Sequence, residues 1–174
     1  MKIIKNILLT LFVLAALVVV IGLLLPASTQ VERSIVIKKA PASVFPFLND
    51  FRKFVQWSPW TEKDKNIQFE FSGPANGVGA KMHWESASEG SGSQEIVASQ
   101  PEKRVDTVLH FTQGTAEAYY LLAPEQDGTH LTWGFKMQFG YNIVRRYFGL
   151  MFDQWIGASY EQGLRKLKSQ VENN

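Results

Sequence analysis

The last part of the chain, NIVRRYFGLMFDQWIGASYEQGLRKLKSQV at residues 142–171, decides the fold because its spacing predicts one long helix. Apolar and small residues recur there at the i, i+3, i+4, i+7 spacing of a single helical face. The face consists of Val144, Phe148, Met151, Phe152, Trp155, Ile156, Ser159, Tyr160, Gly163, Leu164, Leu167 and Val171. Such a helix is about 40 Å long, so in a domain of this size it must lie across a sheet. Whether the face forms core alone or also lines a ligand pocket is left open by the pattern.

The two halves of this helix carry side chains of different size. Bulky aromatic residues fill the first half, whereas the small Ser159 and Gly163 stand in the second. This contrast predicts one end that holds surfaces apart and one end that packs closely. We expect Gly163 to let the helix approach the sheet, so that a large side chain there would overpack the contact.

Upstream of this helix, the period of the apolar residues changes to two, which is typical of β-strands. Strands are predicted at 31–38, 66–72, 79–85, 94–99, 104–111, 115–122 and 129–136, with a flexible turn at 89–93. Short turns make consecutive strands antiparallel neighbours. Strands followed by one long helix predict an α+β fold, in which a curled antiparallel sheet of six to seven strands wraps around the C-terminal helix.

Two short helices are predicted between the first two strands. One begins near Pro41, which suits the first turn of a helix, and the other begins near Phe51. A helix cannot continue smoothly into Pro59, because proline restricts the residue before it. Trp57 and Trp60 are therefore predicted to lie in a constrained loop.

The segment Ile7–Leu25 contains nineteen residues without a charge. As a helix it spans about 28 Å, close to the hydrocarbon thickness of a bilayer, which is about 30 Å. A cleaved signal peptide is the alternative, but its apolar region usually has about 7–15 residues and a small-x-small exit, which is absent here. We therefore predict a retained single-pass membrane anchor at 1–28 and a domain at 29–174.

The orientation of the anchor follows from the basic residues around it. Lys2 and Lys5 favour an N-terminus in the cytoplasm, which places the domain on the exported side, periplasmic or extracellular. Arg33, Lys38 and Lys39 follow the other end of the segment and weaken this asymmetry.

Composition excludes several classes of function. The chain has 174 residues, no cysteine and a formal net charge of +2. Disulfides and thiolate metal sites are therefore impossible, and the charge argues against nucleic-acid binding, which needs a clustered basic face. The aromatic content of 13% is compatible with a large apolar interior, a cavity or both.

No constellation of catalytic or metal-binding residues stands out. His83, His110 and His130 fall on the polar side of three strands and are interpreted as facing outward. Neither a metal-binding spacing nor a Gly-x-Ser-x-Gly elbow is present. We predict no catalytic residue, no metal and no cofactor.

One carboxylate could act as an acid or base, depending on the strand register. If Trp133 faces inward, Tyr119 or Tyr120 on the adjacent strand faces inward too. Glu117 shares a face with Tyr119, so it would be desolvated only if Tyr119 faces inward. A slip of one residue moves all of these side chains to the other face.

Several stretches, taken in order, resemble one known family. They are IKKAPASVF at 37–45, WSPW at 57–60, GVGA at 77–80 leading into Trp84, GTHLTW at 128–133 and GLRKLK at 163–168. Over residues 31–170 the chain is similar to the START/Bet v 1-like (SRPBCC) superfamily, particularly its polyketide cyclase/dehydrase and lipid-transport branch. The resemblance implies a helix-grip fold with a cavity between the sheet and the long helix that takes an apolar small molecule or lipid. It does not fix the function, because the superfamily includes carriers, cyclases, hydrolases and ligand-gated regulators.

Aromatic side chains are the best candidates for contacts with such a ligand, because apolar pockets are lined mainly by them. We predict ligand contacts for Trp57, Trp60, Trp84, Tyr119, Trp133, Phe148, Phe152 and Trp155. The alternative is that these rings fill the core, where each contributes about 2–3 kcal/mol by burial. Trp57 and Trp60 have a third possible place, at the cavity mouth or the membrane interface.

Three functions follow from these observations. The first is a membrane-tethered domain, held by residues 7–25, that binds or carries a hydrophobic small molecule or lipid without catalysis. The second is a cyclase or hydrolase acting on such a ligand, which requires an inward carboxylate or histidine. The third is an envelope interaction module, which requires a small cavity and an exposed apolar patch.

Overall fold

The computed structural model describes residues 2–112 and 114–173, which form five helices and one seven-stranded sheet. In chain order the elements are α1 (Lys2–Leu24), β1 (Ser28–Ile37), α2 (Pro41–Leu48), α3 (Phe51–Trp57), α4 (Pro59–Lys63), β2 (Gln68–Ser72), β3 (Lys81–Ser86), β4 (Gly90–Gln100), β5 (Arg104–Phe111), β6 (Gly114–Glu125), β7 (Gly128–Gln138) and α5 (Ile143–Glu172).

All seven strands belong to one antiparallel sheet with the order β1-β7-β6-β5-β4-β3-β2. The strands from β2 to β7 are neighbours in sequence because each short turn reverses the chain. β1 pairs with β7 along its whole length, from Ser28 opposite Gln138 to Ile37 opposite Thr129. The predicted α+β helix-grip architecture, with its long C-terminal helix and an apolar helix at the N-terminus, is confirmed.

The second half of α5 packs against the sheet as predicted. The helix begins after Asn142, whose side chain accepts a hydrogen bond at 3.0 Å from the backbone N–H three residues on. Leu164 and Leu167 are buried, and Lys168 Nζ donates to the Val36 carbonyl of β1 at 2.8 Å.

The first half of α5 departs from the prediction. Val144, Phe148, Met151 and Trp155 were expected on the face that meets the sheet, but they are exposed. The side chain of Arg146, which lies on another side of the same helix, is buried instead. The 3.6-residue period identifies a common face, but the elements packed around the helix decide whether that face is covered.

An aromatic cluster forms the centre of the core. The Trp133 ring stacks on Tyr160, with 3.7 Å between ring centroids and 9° between planes. Its centroid lies 5.1 Å from that of Trp57 and 5.5 Å from that of Tyr120. Gly163 allows this approach, since a Cβ atom there would lie 3.0 Å from the Trp133 ring. The close packing expected at Gly163 is therefore observed.

The predicted loop around the first two tryptophans is wrong. Trp57 is the last residue of α3, and Trp60 lies in the first turn of α4. Pro59 occupies the first position of α4, where its missing N–H has no helical partner to lose. Ser58 alone separates the two helices, so the proline ends one helix and starts the next.

The prediction for the turn before β4 is also wrong, because part of the predicted turn belongs to the strand. Gly90–Ser93, predicted to be flexible, belongs to β4, and the turn comprises only Ala87–Glu89. Ser93 pairs with His83 of β3, so cross-strand pairing overrides the low strand propensity of a Gly- and Ser-rich sequence.

α1 is long and apolar enough to cross a membrane, and Gly22 is its buried residue. A side chain at Gly22 would collide with Ile143 in the first turn of α5. One turn earlier in α1, the Val18 carbonyl accepts a hydrogen bond from the Tyr147 hydroxyl at 2.7 Å. Only Leu25–Ala27 separates α1 from β1. The apolar helix therefore meets the domain at a defined contact.

Arg146 reinforces this contact. Its buried guanidinium donates to the carbonyls of Leu23 at 2.6 Å, of Leu25 at 3.1 Å and of Gly140 at 2.7 Å. Carbonyls at the C-terminal end of a helix have no partner within the helix. Arg146 therefore supplies donors to the end of α1, and these carbonyls in turn stabilise its buried charge.

Candidate ligand cavity

A cavity of about 330 Å³ lies between strands β2–β5 and β7, helices α3 and α4, and α5. The lining residues are Phe54, Ser58, Trp60, Ile67, Phe69, Met82, Trp84, Glu89, Gln94, Leu109, Phe111, Phe135, Met137, Phe152, Trp155, Ile156 and Tyr160. The volume falls at the lower end of the range for small-molecule pockets, about 300–1,000 Å³. The lining is mostly apolar and aromatic, as in such pockets.

The sheet forms one wall because alternate residues of a strand point to the same side. Phe69 on β2 is directly opposite Trp84 on β3, and Met82 follows on the same face. The Trp84 ring packs edge to face against Phe111, with 5.7 Å between centroids. Gly92, opposite Trp84 on β4, leaves room for this ring, since a Cβ atom there would lie 2.5 Å from it.

The middle of α5 forms the opposite wall. Phe152, Trp155 and Ile156 have the i, i+3, i+4 spacing that places side chains on adjoining parts of one helical face. The Phe152 ring lies 6.2 Å from the ring of Phe135 on β7. Trp155 is about half exposed, so it lies at the rim of the cavity.

The floor of the cavity is formed by rings that also touch the aromatic core. The Trp60 and Tyr160 rings meet at right angles, with 6.3 Å between centroids. Burial raises the pKa of the Tyr160 hydroxyl well above its usual value, so the group stays neutral. The floor therefore carries no charge.

Few polar groups reach the cavity. Ser58 and Gln94 are buried, and the Gln94 amide donates to the Thr107 hydroxyl at 2.8 Å. Glu89 stands in the exposed turn between β3 and β4, at the edge of the lining. Since burying an unpaired charge is costly, this arrangement suits a ligand with an apolar body and few polar atoms.

The described residues contain no group of three or more His, Asp or Glu side chains that could hold a metal ion. His83 and His130 pair with exposed acidic side chains, Glu85 at 3.5 Å and Glu125 at 3.2 Å. His110 is exposed. The three histidines lie outside the cavity lining, in agreement with their predicted outward orientation.

The structure brings four of the predicted ligand-contact residues to the cavity, and these are Trp60, Trp84, Phe152 and Trp155. They come from α4, β3 and α5, three elements that are far apart in the sequence. Contact of these four residues with a ligand remains a prediction.

The other predicted contacts lie elsewhere. Trp57 and Trp133 are buried in the aromatic core beneath the cavity, where rings from both sides fill the space. Phe148 is exposed on α5 one turn before Phe152 and does not line the cavity. For Trp57 and Trp133, the structure therefore agrees with the alternative in which the ring fills the core.

Tyr119 lies on the opposite face of the sheet. Its hydroxyl donates to the Glu32 carboxylate and accepts a hydrogen bond from Gln30 Nε2 at 3.1 Å. Burial and the Glu32 carboxylate raise the pKa of Tyr119 to about 12. In the register of β6 with β7, it is Tyr120 that is opposite Trp133 and faces the core.

Glu117 shares the outer face with Tyr119. It is exposed, and in the strand register it lies opposite Lys136 of β7. The register therefore removes Glu117 as an acid or base inside the cavity.

Sequence reasoning missed several lining residues. Phe69, Met82, Leu109 and Phe111 had a usable signal, because they alternate with polar residues on predicted strands that border the cavity. Gln94 had none, because a buried glutamine is indistinguishable in sequence from an exposed one.

The comparisons with known proteins agree with the fold. The model of a family described as polyketide cyclase/dehydrase and lipid transport matches residues 28–172. No curated protein matches the chain. Among solved structures, protein MLL2253 from Mesorhizobium loti is 18% identical, with 83% of this chain and 98% of that chain covered and a TM-score of 0.59.

Two further solved structures have a similar fold. The protein of unknown function SA2116 from Staphylococcus aureus is 11% identical, with 84% of this chain and 94% of that chain covered and a TM-score of 0.62. The di-domain ARO/CYC StfQ from the steffimycin biosynthetic pathway is 11% identical, with 84% of this chain and 51% of that chain covered and a TM-score of 0.62. At these identities the likeness concerns the fold alone.

Proposed function

Because this chain belongs to the polyketide cyclase/dehydrase and lipid transport family, we propose that it is a membrane-tethered protein that binds or carries a hydrophobic small molecule or lipid. In this proposal residues 1–28 anchor the chain and residues 29–174 form the binding domain on the exported side of the membrane. Trp60, Trp84, Phe152 and Trp155 contact the ligand.

The observation that carries the proposal is the apolar cavity of about 330 Å³ between the sheet and α5. Transfer of an apolar molecule from water into such a space is favourable because apolar surface leaves water on both sides. The neutral Tyr160 hydroxyl and the buried Gln94 and Ser58 supply the few polar contacts that orient a ligand.

Native mass spectrometry of the full chain, released from detergent micelles, tests this proposal. We expect a reproducible extra mass that dissociates on denaturation as a lipid or another apolar molecule. The same preparation, stripped of that mass, should take up an apolar fluorescent probe. A chain that carries no extra mass and takes up no probe would overturn the proposal.

A cyclase-type reaction is a second candidate function, and Glu89 is the observation that favours it. This exposed residue of the turn between β3 and β4 is the acidic residue of the cavity lining. A carboxylate at a cavity mouth can accept or return a proton if the substrate reaches it. The cyclase hypothesis predicts that the bound molecule leaves chemically altered and that Glu89→Gln prevents this change. Unaltered release from the wild type would favour the carrier.

A further inference from the structure

The first half of α5 carries an apolar row on its exposed side. Val144, Phe148, Met151 and Trp155 follow one another at intervals of three or four residues and are 64%, 52%, 42% and 48% exposed. Their spacing places all four on one narrow face of the helix. We call these four side chains the α5 row.

The same face changes character later in the helix. Positions 18 residues apart coincide around an α-helix, because they are separated by five turns of about 3.6 residues. At this separation Val144 is followed by Gln162, Phe148 by Lys166 and Met151 by Ser169. The apolar character is therefore confined to the half of α5 that lies next to α1.

The α5 row lies beside the contact with α1. Ile143 and Tyr147, which touch α1, lie about 70–110° around the helix axis from the middle of the row. The exposed apolar row of α5 and the exposed apolar side chains of α1 therefore flank the same contact between the two helices.

The position of this contact along α1 indicates what surrounds the α5 row. The Tyr147 hydroxyl reaches the Val18 carbonyl, and Val18 stands six residues before the end of α1 at Leu24. Six residues correspond to about 9 Å along the helix axis. If α1 crosses a hydrocarbon layer of about 30 Å, the first turns of α5 are at the depth of the lipid chains and headgroups, not in bulk water.

The row also reaches the cavity. Trp155 is both its last member and part of the lining, beside Phe152 and Ile156. Tryptophan is favoured at the boundary between lipid and water. An apolar molecule that leaves the cavity past Trp155 therefore meets the other side chains of the α5 row, which extend towards the end of α5 that contacts α1.

We infer that the α5 row is embedded in the outer part of the lipid bilayer alongside α1, so that the cavity opens beside Trp155 towards lipid and exchanges its ligand with the bilayer directly. The inference rests on the proposed anchoring of the chain by α1. It adds a second membrane contact, which belongs to the domain, and a route for the ligand.

The lack of cysteine allows this to be tested with single-cysteine variants of the full chain. Phe148→Cys and Met151→Cys, each labelled with an environment-sensitive fluorophore, are reconstituted in phosphatidylcholine vesicles containing some phosphatidylglycerol. We expect quenching by brominated lipids and protection from aqueous iodide. Ser169→Cys, on the same helical face, should show the reverse. Quenching of both row positions by iodide alone would overturn the inference. The same result is expected if the row binds a protein partner and not lipid.

A fluorophore on α1 shows whether a negative result contradicts the embedded row alone or the proposed membrane anchor as well. Leu14→Cys in α1 should be quenched by brominated lipids whether or not the row is embedded. Quenching at Leu14 but not at Phe148 or Met151 would leave the anchor in place and overturn the inference. Lack of quenching at Leu14 would overturn the anchor and the inference together.

The exchange route has its own readout. Met151→Glu places a charge in the row without touching the cavity lining, and Ser169→Glu is the matched control. We expect Met151→Glu to slow uptake of a fluorescent lipid analogue from vesicles by at least about tenfold, while the amount bound at equilibrium is unchanged. Equal uptake rates for the two variants would overturn the proposed route.

Discussion

The indole rings of Trp57 and Trp133 pack edge to face in the core, 5.1 Å between centroids, but differ in their hydrogen bonding. The Trp57 N–H donates to the Phe47 carbonyl at 3.1 Å. The Trp133 N–H is buried and has no acceptor among the described residues. Because the two rings have the same size and lie in the same cluster, substitutions at the two positions can distinguish the effect of the hydrogen bond from that of packing.

We expect Trp57→Phe to lower the free energy of unfolding by about 1 kcal/mol more than Trp133→Phe. Both changes remove similar ring volume, but only the first loses a hydrogen bond, and the second removes a buried donor that has no partner. Urea unfolding of the two full-length variants in the same detergent measures the difference. Equal losses of unfolding free energy would mean that the hydrogen bond to Phe47 makes no net contribution to stability.

Gly163→Leu should destabilise the fold by more than about 1 kcal/mol through overpacking. A Cβ atom at this position already lies 3.0 Å from both Pro59 and the Trp133 ring, so the larger side chain has no room. Ala158→Leu, on an exposed part of the same helix, is the control and should change little. An unchanged melting curve for Gly163→Leu would refute the close packing of α5.

Leu109→Trp should fill the cavity from the β5 side. We expect the affinity for an apolar fluorescent probe to fall by about tenfold or more, because the added ring occupies the ligand's space. Leu121→Trp on the outer side of β6 is the matched control and should bind the probe as the wild type does. Equal affinities in a titration of the two variants would place the probe elsewhere.

Arg146→Gln should loosen the contact between α1 and the domain. Its guanidinium donates to the carbonyls of Leu23, Leu25 and Gly140, and each hydrogen bond to a charged group is worth about 1.5–3 kcal/mol. We expect an unfolding free energy lower by at least about 2 kcal/mol and faster cleavage of 25–27 by a broad-specificity protease. Arg145→Gln is the control; identical cleavage rates would argue against a fixed contact.

The pair of Arg33 with Asp153 should make stability depend on pH in acid. Hydrogen bonds from the Arg33 guanidinium hold the pKa of Asp153 below its ordinary value of 3.8. A carboxyl whose pKa is lower in the folded state contributes stability that is present above the unfolded pKa and lost as the pH falls through the folded value. The wild type should therefore be more stable than Asp153→Asn at neutral pH.

This difference in melting temperature should narrow as the pH falls below 3.8. The effect is modest because Asp153 is exposed, and added salt should reduce it further. Gln154→Asn, an exposed neighbour without an ionisable group, controls for the helix position. A difference that stays constant over this pH range would show that ionisation of Asp153 plays no part.

The sequence predicts the order of strands β2 to β7 because these strands alternate and short turns make consecutive ones antiparallel neighbours. The place of β1 beside β7 does not follow from any turn, because helices α2 to α4 and their loops separate β1 from β2 in the sequence. The C-terminal helix is also readable, since Asn142 provides both the polar boundary and the cap. Short-range signals of this kind determine which helices and strands form and in what order they follow along the chain. The turn before β4 was misjudged because pairing with β3, not local propensity, extends that strand.

The candidate site was harder to predict because register and packing decide it. In β6, Tyr119 and Tyr120 are adjacent, and their flanking residues Ala118 and Leu121 are both apolar, so the immediate neighbours do not show which ring faces the core. Only the pairing of Tyr120 with Trp133 places Tyr119 outside. Likewise, Trp57 and Trp84 are equally aromatic, and the distance between helix and sheet at each place decides which ring fills core and which borders empty space.

The three-residue connection between α1 and β1 limits how far the domain can act. Even fully extended, Leu25–Ala27 has a reach of only about 10 Å. If α1 anchors the chain as proposed, the domain cannot carry a ligand through an aqueous compartment to a distant surface. Its encounters are then restricted to lateral diffusion, so any donor or acceptor of the ligand must lie in, or come to, the same membrane.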